Sequence, residues 1–188
     1  MRLEIVYNLF YKIFRILDMK RHKKTIAYIG GTFDLMHHGH VALFKAAKKL
    51  ADFVVVSLNT DEFNMEYKGR KPVMTLRERI AVVSSCRYVD KVDINEGGHD
   101  SKSAILRNKP DYIFHGDDWV RGEVFLKQLQ IDKNFLKKHK IKIRYVPLIQ
   151  GISTTELRTR TKTIPESKKP QLYKTAKNLK PRKKAHSK

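Results

Sequence analysis

Cysteine is nearly missing from this chain of 188 residues: Cys86 is the single one. An internal disulfide is therefore excluded, and a reducing compartment such as the cytoplasm is the expectation. Cys86 closes an apolar helical stretch that begins at Ile80, which reads it as a small buried hydrophobe rather than a nucleophile. Long apolar runs are missing too, since none approaches the ~20 residues that a membrane-spanning helix needs. The first 18 residues make a poor signal peptide, because Glu4, Asn8, Lys12, Arg15 and Asp18 interrupt the apolar positions and no small-residue cleavage site follows. Acidic side chains are scarce, 19 against 40 Lys and Arg, so the formal net charge is +21 and the isoelectric point lies near 10.1.

Such a charge would ordinarily point to nucleic acid, so its location decides the reading. Residues 1–24 carry 7 basic groups against 2 acidic, residues 25–156 carry 21 against 16, and residues 157–188 carry 12 against 1. The centre is only mildly basic, as expected of a small-anion enzyme with solvated arms. The arms raise a competing partner, an anionic membrane surface, for which each nearby basic residue contributes ~1 kcal/mol of attraction. Nucleic acid is the weaker candidate: the final segment has one aromatic, Tyr173, for base stacking.

Three parts follow. Residues 1–24 form an extension in which Ile5, Leu9, Ile13 and Ile16 recur at helical spacing, giving an amphipathic helix that covers the core, a dimer partner or a membrane surface, or nothing at all if Met19 is the true start. Residues 25–162 alternate short β-rich runs with helical segments, the pattern of parallel strands joined by crossover helices. Strands are expected at 25–29, 53–58, 89–94, 112–115 and 141–146, and helices at 39–51, 75–86, 101–108 and 124–139, with a last one opening near Ser153. The fold class is thus α/β, a small doubly wound, Rossmann-like, five-stranded parallel sheet with helices on both faces and its ligands beyond the carboxyl ends of the strands. Residues 163–188 hold Pro165, Pro170 and Pro181 among many lysines and few large apolar residues, which reads as a disordered basic tail.

The chemistry-bearing residues fall at those strand ends. Gly30-Gly31-Thr32-Phe33-Asp34-Leu35-Met36-His37-His38-Gly39-His40 runs from the first strand directly into the first helix. Glycines there let the backbone approach a ligand, and the helix start offers unpaired N–H groups to phosphate. His37 and His40, three apart, fall on one side and could serve one phosphate group; a zinc pair and a purely structural role are the rivals. Lys68 to Lys71 is a glycine-containing basic loop able to close on a polyphosphate. His115-Gly116-Asp117-Asp118-Trp119 closes the fourth strand with two adjacent acids that could orient a cation, bind a ribose or base, or cap the next segment. Gly151-Ile152-Ser153-Thr154-Thr155 opens the last helix, either as an N-cap or as a phosphate site.

The string GTFDLMHHGH resembles the GTFD-x-x-H-x-G-H signature of the cytidylyltransferase-like nucleotidyltransferases. Lys68-Gly69 with Glu78-Arg79, then GDDW from Gly116 and GIST from Gly151, are similar to that family's later motifs in the same order, closest to its glycerol-phosphate cytidylyltransferases. What the resemblance implies is transfer of CMP from CTP to a small alcohol phosphate, such as glycerol, choline or ethanolamine phosphate, or to a phosphonate, with release of pyrophosphate. It implies His37, His40, Lys68 and Arg79 as the catalytic groups and no protein metal site, with Mg2+ accompanying the triphosphate. Nucleotide contacts would fall on Gly31, Thr32, Phe33, Asp34, His40, Gly116, Asp117, Gly151, Ile152, Ser153 and Thr154. Acceptor contacts would fall on Asp34, Lys68, Arg79, Asp118 and Trp119. It further implies a homodimer. One departure stands out: where glycerol- and choline-phosphate enzymes have Arg-Thr-Glu before GIST, this chain has Leu148-Ile149-Gln150, and Arg144 or Arg158 is the candidate substitute for that arginine. Two alternatives remain, an adenylyltransferase of the same fold acting on a sugar phosphate or flavin precursor, and a nucleic-acid or anionic-membrane binding protein that has kept the fold.

Overall fold

The computed structural model describes residues 24–117, 124–147 and 149–162. Five parallel strands, β1 (Ile26–Gly31), β2 (Phe53–Asn59), β3 (Lys91–Asn95), β4 (Tyr112–Gly116) and β5 (Lys142–Val146), form one sheet in the order β3-β2-β1-β4-β5. Chain order reverses between β1 and β4, so the crevice outside their carboxyl ends is the place where a doubly wound sheet binds its ligands.

Side chains alternate across the sheet. Ala27 and Ile29 of β1 and Val54, Val56 and Leu58 of β2 join Phe44 and Ala47 of α1 (His38–Leu50) and Val83 of a later helix, Leu76–Ser84, in one buried cluster. On the other face Tyr28 and Ile113 pack with Ala104 and Ile105 of the helix Lys102–Asn108, and with Phe125 and Leu126 of the helix Val124–Gln128. Each large apolar side chain so buried contributes roughly 1.5–3 kcal/mol. Toward β3 that second face turns polar: Lys91 donates to Asn108 at 2.7 Å, and Asp93 accepts from Asn108 and, at 3.0 Å, from Arg107.

The fold matches the expected doubly wound sheet, but two helical assignments change. An additional helix, α2 (Asp61–Lys68), follows β2; Thr60 caps it by accepting from the Phe63 N–H at 3.1 Å, and Asp61 and Glu62 complement its first turn. The helix Leu76–Ser84 is then α3, with Thr75 and Glu78 closing a capping box; it stops before Cys86, which sits half-buried against the first cluster. After α4 (Lys102–Asn108), the single helix expected over 124–139 is two, α5 (Val124–Gln128) and α6 (Lys133–His139). The break is made by Gln130 in the left-handed region (φ 52) and by Asp132, whose carboxylate caps α6 at the Phe135 N–H, 2.7 Å away. It lets Leu129 and Ile131 turn inward to the second cluster.

The α/β unit runs to Thr154, and 155–188 is a second unit, whose described part belongs to α7 (Thr154–Lys162). Among the described residues no helix is long and apolar enough to cross a membrane. The expected N-terminal helix and the basic tail fall outside the described residues.

Candidate functional site

Between β1 and α1 the chain turns within six residues, and it does so with Phe33 (φ 51) and Leu35 (φ 47) both in the left-handed region. Non-glycine residues adopt that conformation only where the surroundings over-determine it. Here the surroundings are plain. The Phe33 ring is buried, lies 5.2 Å from Phe44 and 5.1 Å edge-on from His40, and so closely covers Gly31 that a Cβ there would come within 2.9 Å of it. Phe33, expected to touch nucleotide, therefore acts through its ring as the wall behind His40.

His37 is the N-cap of α1. Its Nδ1 accepts from the Gly39 N–H at 3.2 Å, and the His37 N–H in turn donates to Nδ1 of His40 at 3.4 Å, a capping box built from two imidazoles. The rings stack, 3.8 Å between centroids and 25° apart in plane. Gly39 leaves room for that ring: a Cβ at its position would meet two atoms of the His37 ring at 3.0 Å, so the ring would have to shift. Burial pushes the His40 imidazole down to about 3; the adjacent His37 adds to the fall and Asp34 opposes it. Burial, followed by the neighbouring His38, lowers His37 as well. Both rings are accordingly neutral near pH 7, and with each Nδ1 accepting a backbone N–H, the proton of each lies on Nε2. The pair thus offers two Nε2–H donors at a helix start whose first turn carries no acid.

A depressed histidine pKa has a consequence for stability. The unfolded chain takes up these protons as pH falls below 6.5, whereas folded His40 stays neutral to about 3. The stabilisation is complete above pH 6.5 and is lost progressively as pH falls toward 3. A His40→Asn variant should therefore lose less melting temperature than the parent on acidification through that window, measured by thermal melts at stepped pH.

Asp34 lies three residues past β1's end but is only 4% exposed; its two carboxylate oxygens accept from the Val73 and Met74 N–H groups at 3.0 and 2.9 Å. Its carbonyl accepts from the Thr154 hydroxyl at 2.9 Å. Asp34, expected to bind nucleotide and acceptor, ties together the turn, the 72–74 segment and the Gly151–Thr154 motif. The Thr154 hydroxyl proton is likewise committed. That motif lies against α1: a Cβ on Gly39 would be 3.5 Å from Ile152.

Arg79 departs furthest from expectation. Its side chain is fully buried, and it donates from Nε to the Met74 carbonyl at 3.2 Å, from Nη1 to the Thr32 and Asn59 carbonyls at 2.8 Å each, and from Nη2 to Asp61. The guanidinium holds strand ends together from inside the protein, with no surface open to solvent. Arg144, a candidate substitute for the missing arginine, stacks over the Tyr112 ring at 5.3 Å. Since Tyr112 opens β4 and pairs with Lys142, Arg144 leans away from the carboxyl ends. Leu148 falls outside the described residues, as do Asp118 and Trp119.

On the opposite face of the sheet, beyond the same strand ends, lies a cavity of about 180 Å³ lined by Gly30, Gly31, Thr32, Asn59, Asn95 and His115 from β1 to β4 and by Phe63, Tyr67 and Lys68 of α2. Gly31 lines the cavity and also lies under the Phe33 ring that meets His40. Gly116 is buried at the end of β4, and Asp117 follows it exposed. Sequence reasoning had not marked Asn59 or Asn95; the Thr60 cap and the acids after it were the available signal for α2.

Residues 28–160 match the family model for cytidylyltransferase-like proteins. Over 136 residues the chain is 36% identical to a glycerol-3-phosphate cytidylyltransferase of Bacillus subtilis, which covers 72% of this chain and 95% of that one. It is 41% identical over 96 residues to an FAD synthase of Pyrococcus horikoshii, 51% of this chain and 65% of the relative. Among solved structures, a lipopolysaccharide core biosynthesis protein of Thermoplasma volcanium superposes with a TM-score of 0.54 at 27% identity, covering 67% of this chain and 97% of that one. A glycine-seamed strand end, a histidine-capped helix and this similarity across most of the chain agree: the protein belongs to the cytidylyltransferase-like family and is a nucleotidyltransferase.

Proposed function

We propose that the protein transfers CMP from CTP to the phosphate group of a small alcohol phosphate. The observation that carries the reading is the neutral, stacked His37–His40 pair with both Nε2–H donors available at the start of α1. An acceptor phosphate oxygen attacks the α-phosphorus, a new P–O bond forms, the bond to the bridging α,β-oxygen breaks, and pyrophosphate leaves with that electron pair. No protein nucleophile is needed; the work is alignment and charge stabilisation.

In this reading the triphosphate lies over His37 and His40, whose donors follow the negative charge that builds on the α- and β-phosphoryl oxygens. Gly116, Asp117 and the Gly151–Thr154 motif hold the rest of the nucleotide. The acceptor occupies the cavity, its phosphate near Lys68 and Thr32, so that the two substrates meet across Gly31. Among the described residues no group of three His, Cys, Asp or Glu side chains could hold a metal, and Asp34 is already committed to two N–H groups. Magnesium would enter with the triphosphate as part of the substrate, called for by the charge of the nucleotide. The single thiol supports a cytoplasmic setting, and the homodimer rests on the likeness of the motifs; the basic ends would be available to an anionic surface.

Pyrophosphate release from CTP and from ATP, measured with glycerol, ethanolamine and choline phosphates and a phosphonate, tests this reading. CTP with one of these acceptors is expected to give release and ATP little. Faster release with ATP would favour the adenylyl alternative, which the similarity to an FAD synthase supports; release with none would favour a binding protein.

A further inference from the structure

At the end of the sheet opposite the site the strands begin and the helices finish. Two residues separate α1 from β2, three separate α4 from β4, and two separate α6 from β5. Lys49 lies in the last turn of α1 and Lys138 in that of α6, Lys109 and Lys140 are the left-handed caps of α4 and α6, and Lys24 and Lys142 stand where β1 and β5 begin. All six are exposed. The carboxylates at this end are turned inward to the strand starts. Asp52 accepts from the Thr25 N–H and hydroxyl, both at 2.8 Å, Asp90 from the Val54 N–H at 2.7 Å and from Lys48, and Asp111 from the Ile26 N–H at 2.9 Å. Among the described residues none of the six lysines makes a salt bridge.

The negative end of a helix dipole draws cations, which accounts for lysines in last turns. It does not account for Lys24 and Lys142 at strand starts. With neighbouring strands about 4.8 Å apart, the lysines spread over the width from β2 through β1 and β4 to β5, roughly 14 Å, so they meet many anionic groups at once rather than one. Leu50, next to Lys49 in the chain, is 58% exposed. Residues 1–23 join the fold at Lys24, at this same end, and their sequence repeats Ile5, Leu9, Ile13 and Ile16 at helical spacing with Lys12 and Arg15 among them. Lysines beside apolar side chains suit the headgroup boundary of an acidic bilayer. A nucleic acid would make no use of the apolar positions, and Tyr88 and Tyr112, which it would stack on, lie under Arg87 and Arg144.

We propose that the amino end of the sheet is a docking surface for an anionic phospholipid bilayer, with the six lysines toward the headgroups and residues 1–23 supplying the apolar contact. The carboxyl ends of the strands, with the histidine pair and the cavity, then open away from the bilayer toward substrates in water. Attraction between exposed charges is screened by salt, so the docking is reversible.

The full chain is sedimented with vesicles of phosphatidylcholine alone and of phosphatidylcholine with phosphatidylglycerol, at low and high salt. Binding to the acidic vesicles only, reversed by salt, is expected. The basic ends of the chain would account for that by themselves, so acetylation of lysines, mapped by mass spectrometry, locates the contact. Lys49, Lys109, Lys138 and Lys140 should lose reactivity on the acidic vesicles while Lys102 and Lys127 keep theirs. Changing Lys49, Lys109, Lys138 and Lys140 together to Gln should weaken vesicle binding roughly 10- to 100-fold, at about fivefold for each lysine near the surface. The same change at Arg77, Lys102, Lys127 and Lys133, toward the other end, should weaken it less than about threefold. Circular dichroism establishes that each variant folds, and the acetylation pattern of the unmodified chain decides the matter should the first variant not fold. Equal losses in the two variants, uniform protection of all these lysines, or binding to neutral vesicles that salt does not reverse would overturn the proposal. So would tighter binding to a single-stranded RNA that the first variant alone abolishes, which would give the face to nucleic acid.

Discussion

Replacement of His40 by Ala is expected to lower kcat for pyrophosphate release by about 10²- to 10³-fold, the usual loss when one preorganised donor to a developing oxyanion is removed. Two contributions have to be separated. His40 also accepts from the His37 N–H at 3.4 Å, so the alanine variant forfeits part of a helix cap, worth roughly 1 kcal/mol. His40→Asn distinguishes them: an amide oxygen can restore the cap but cannot place an N–H where Nε2 lies. Both variants should lose kcat together, while the asparagine variant keeps more of the parental melting temperature. Near-parental turnover in both would remove the histidine pair from the mechanism.

The second large effect concerns stability. Arg79→Met is expected to cost about 3 kcal/mol, in the range found when one member of a buried ion pair is removed, and to lower the melting temperature by roughly 6–12 °C for a chain of this size. Four acceptors lose their donor at once: the carbonyls of Thr32, Asn59 and Met74 and the carboxylate of Asp61. Arg79→Lys should rescue little, because a single ammonium cannot span four partners that a planar fork reaches. The result that separates a positioning residue from one that touches substrate is the pairing of readouts. A collapse in activity with an unchanged melting temperature would return Arg79 to the catalytic group.

How far the sequence reveals this molecule depends on whether the chemistry resides in side chains or in the backbone they meet. The alternation of β-rich and helical runs is a side-chain pattern, and the parallel sheet follows from it. His37 and His40 were legible for the same reason, being three residues apart beside a glycine at a strand-to-helix junction. Arg79 and Asp34 were not. Their partners are main-chain carbonyls and N–H groups, which every residue carries, so no residue type marks them; a charged group near a phosphate motif then reads as a ligand contact when it is a brace. Asn95 and Asn59 are 36 residues apart and meet because β2 and β3 pair in register. α2 was within reach of local reasoning, through Thr60 and the acids after it, but the lysines at its end gave it the look of a loop.

The clasp of Asp34 on the Val73 and Met74 N–H groups has a bearing on how this enzyme could change through descent. What the carboxylate recognises is a hydrogen on nitrogen, present whatever the side chain, so drift at 73 and 74 costs the clasp nothing provided proline is never installed. Pro72, one residue earlier, already marks how near that limit lies. The aspartate has no such latitude, since glutamate would move its oxygens by a methylene. Heritable freedom on one side of the contact and fixity on the other would make Asp34 look like a ligand in any catalogue of invariant positions, although its work is to hold the chain.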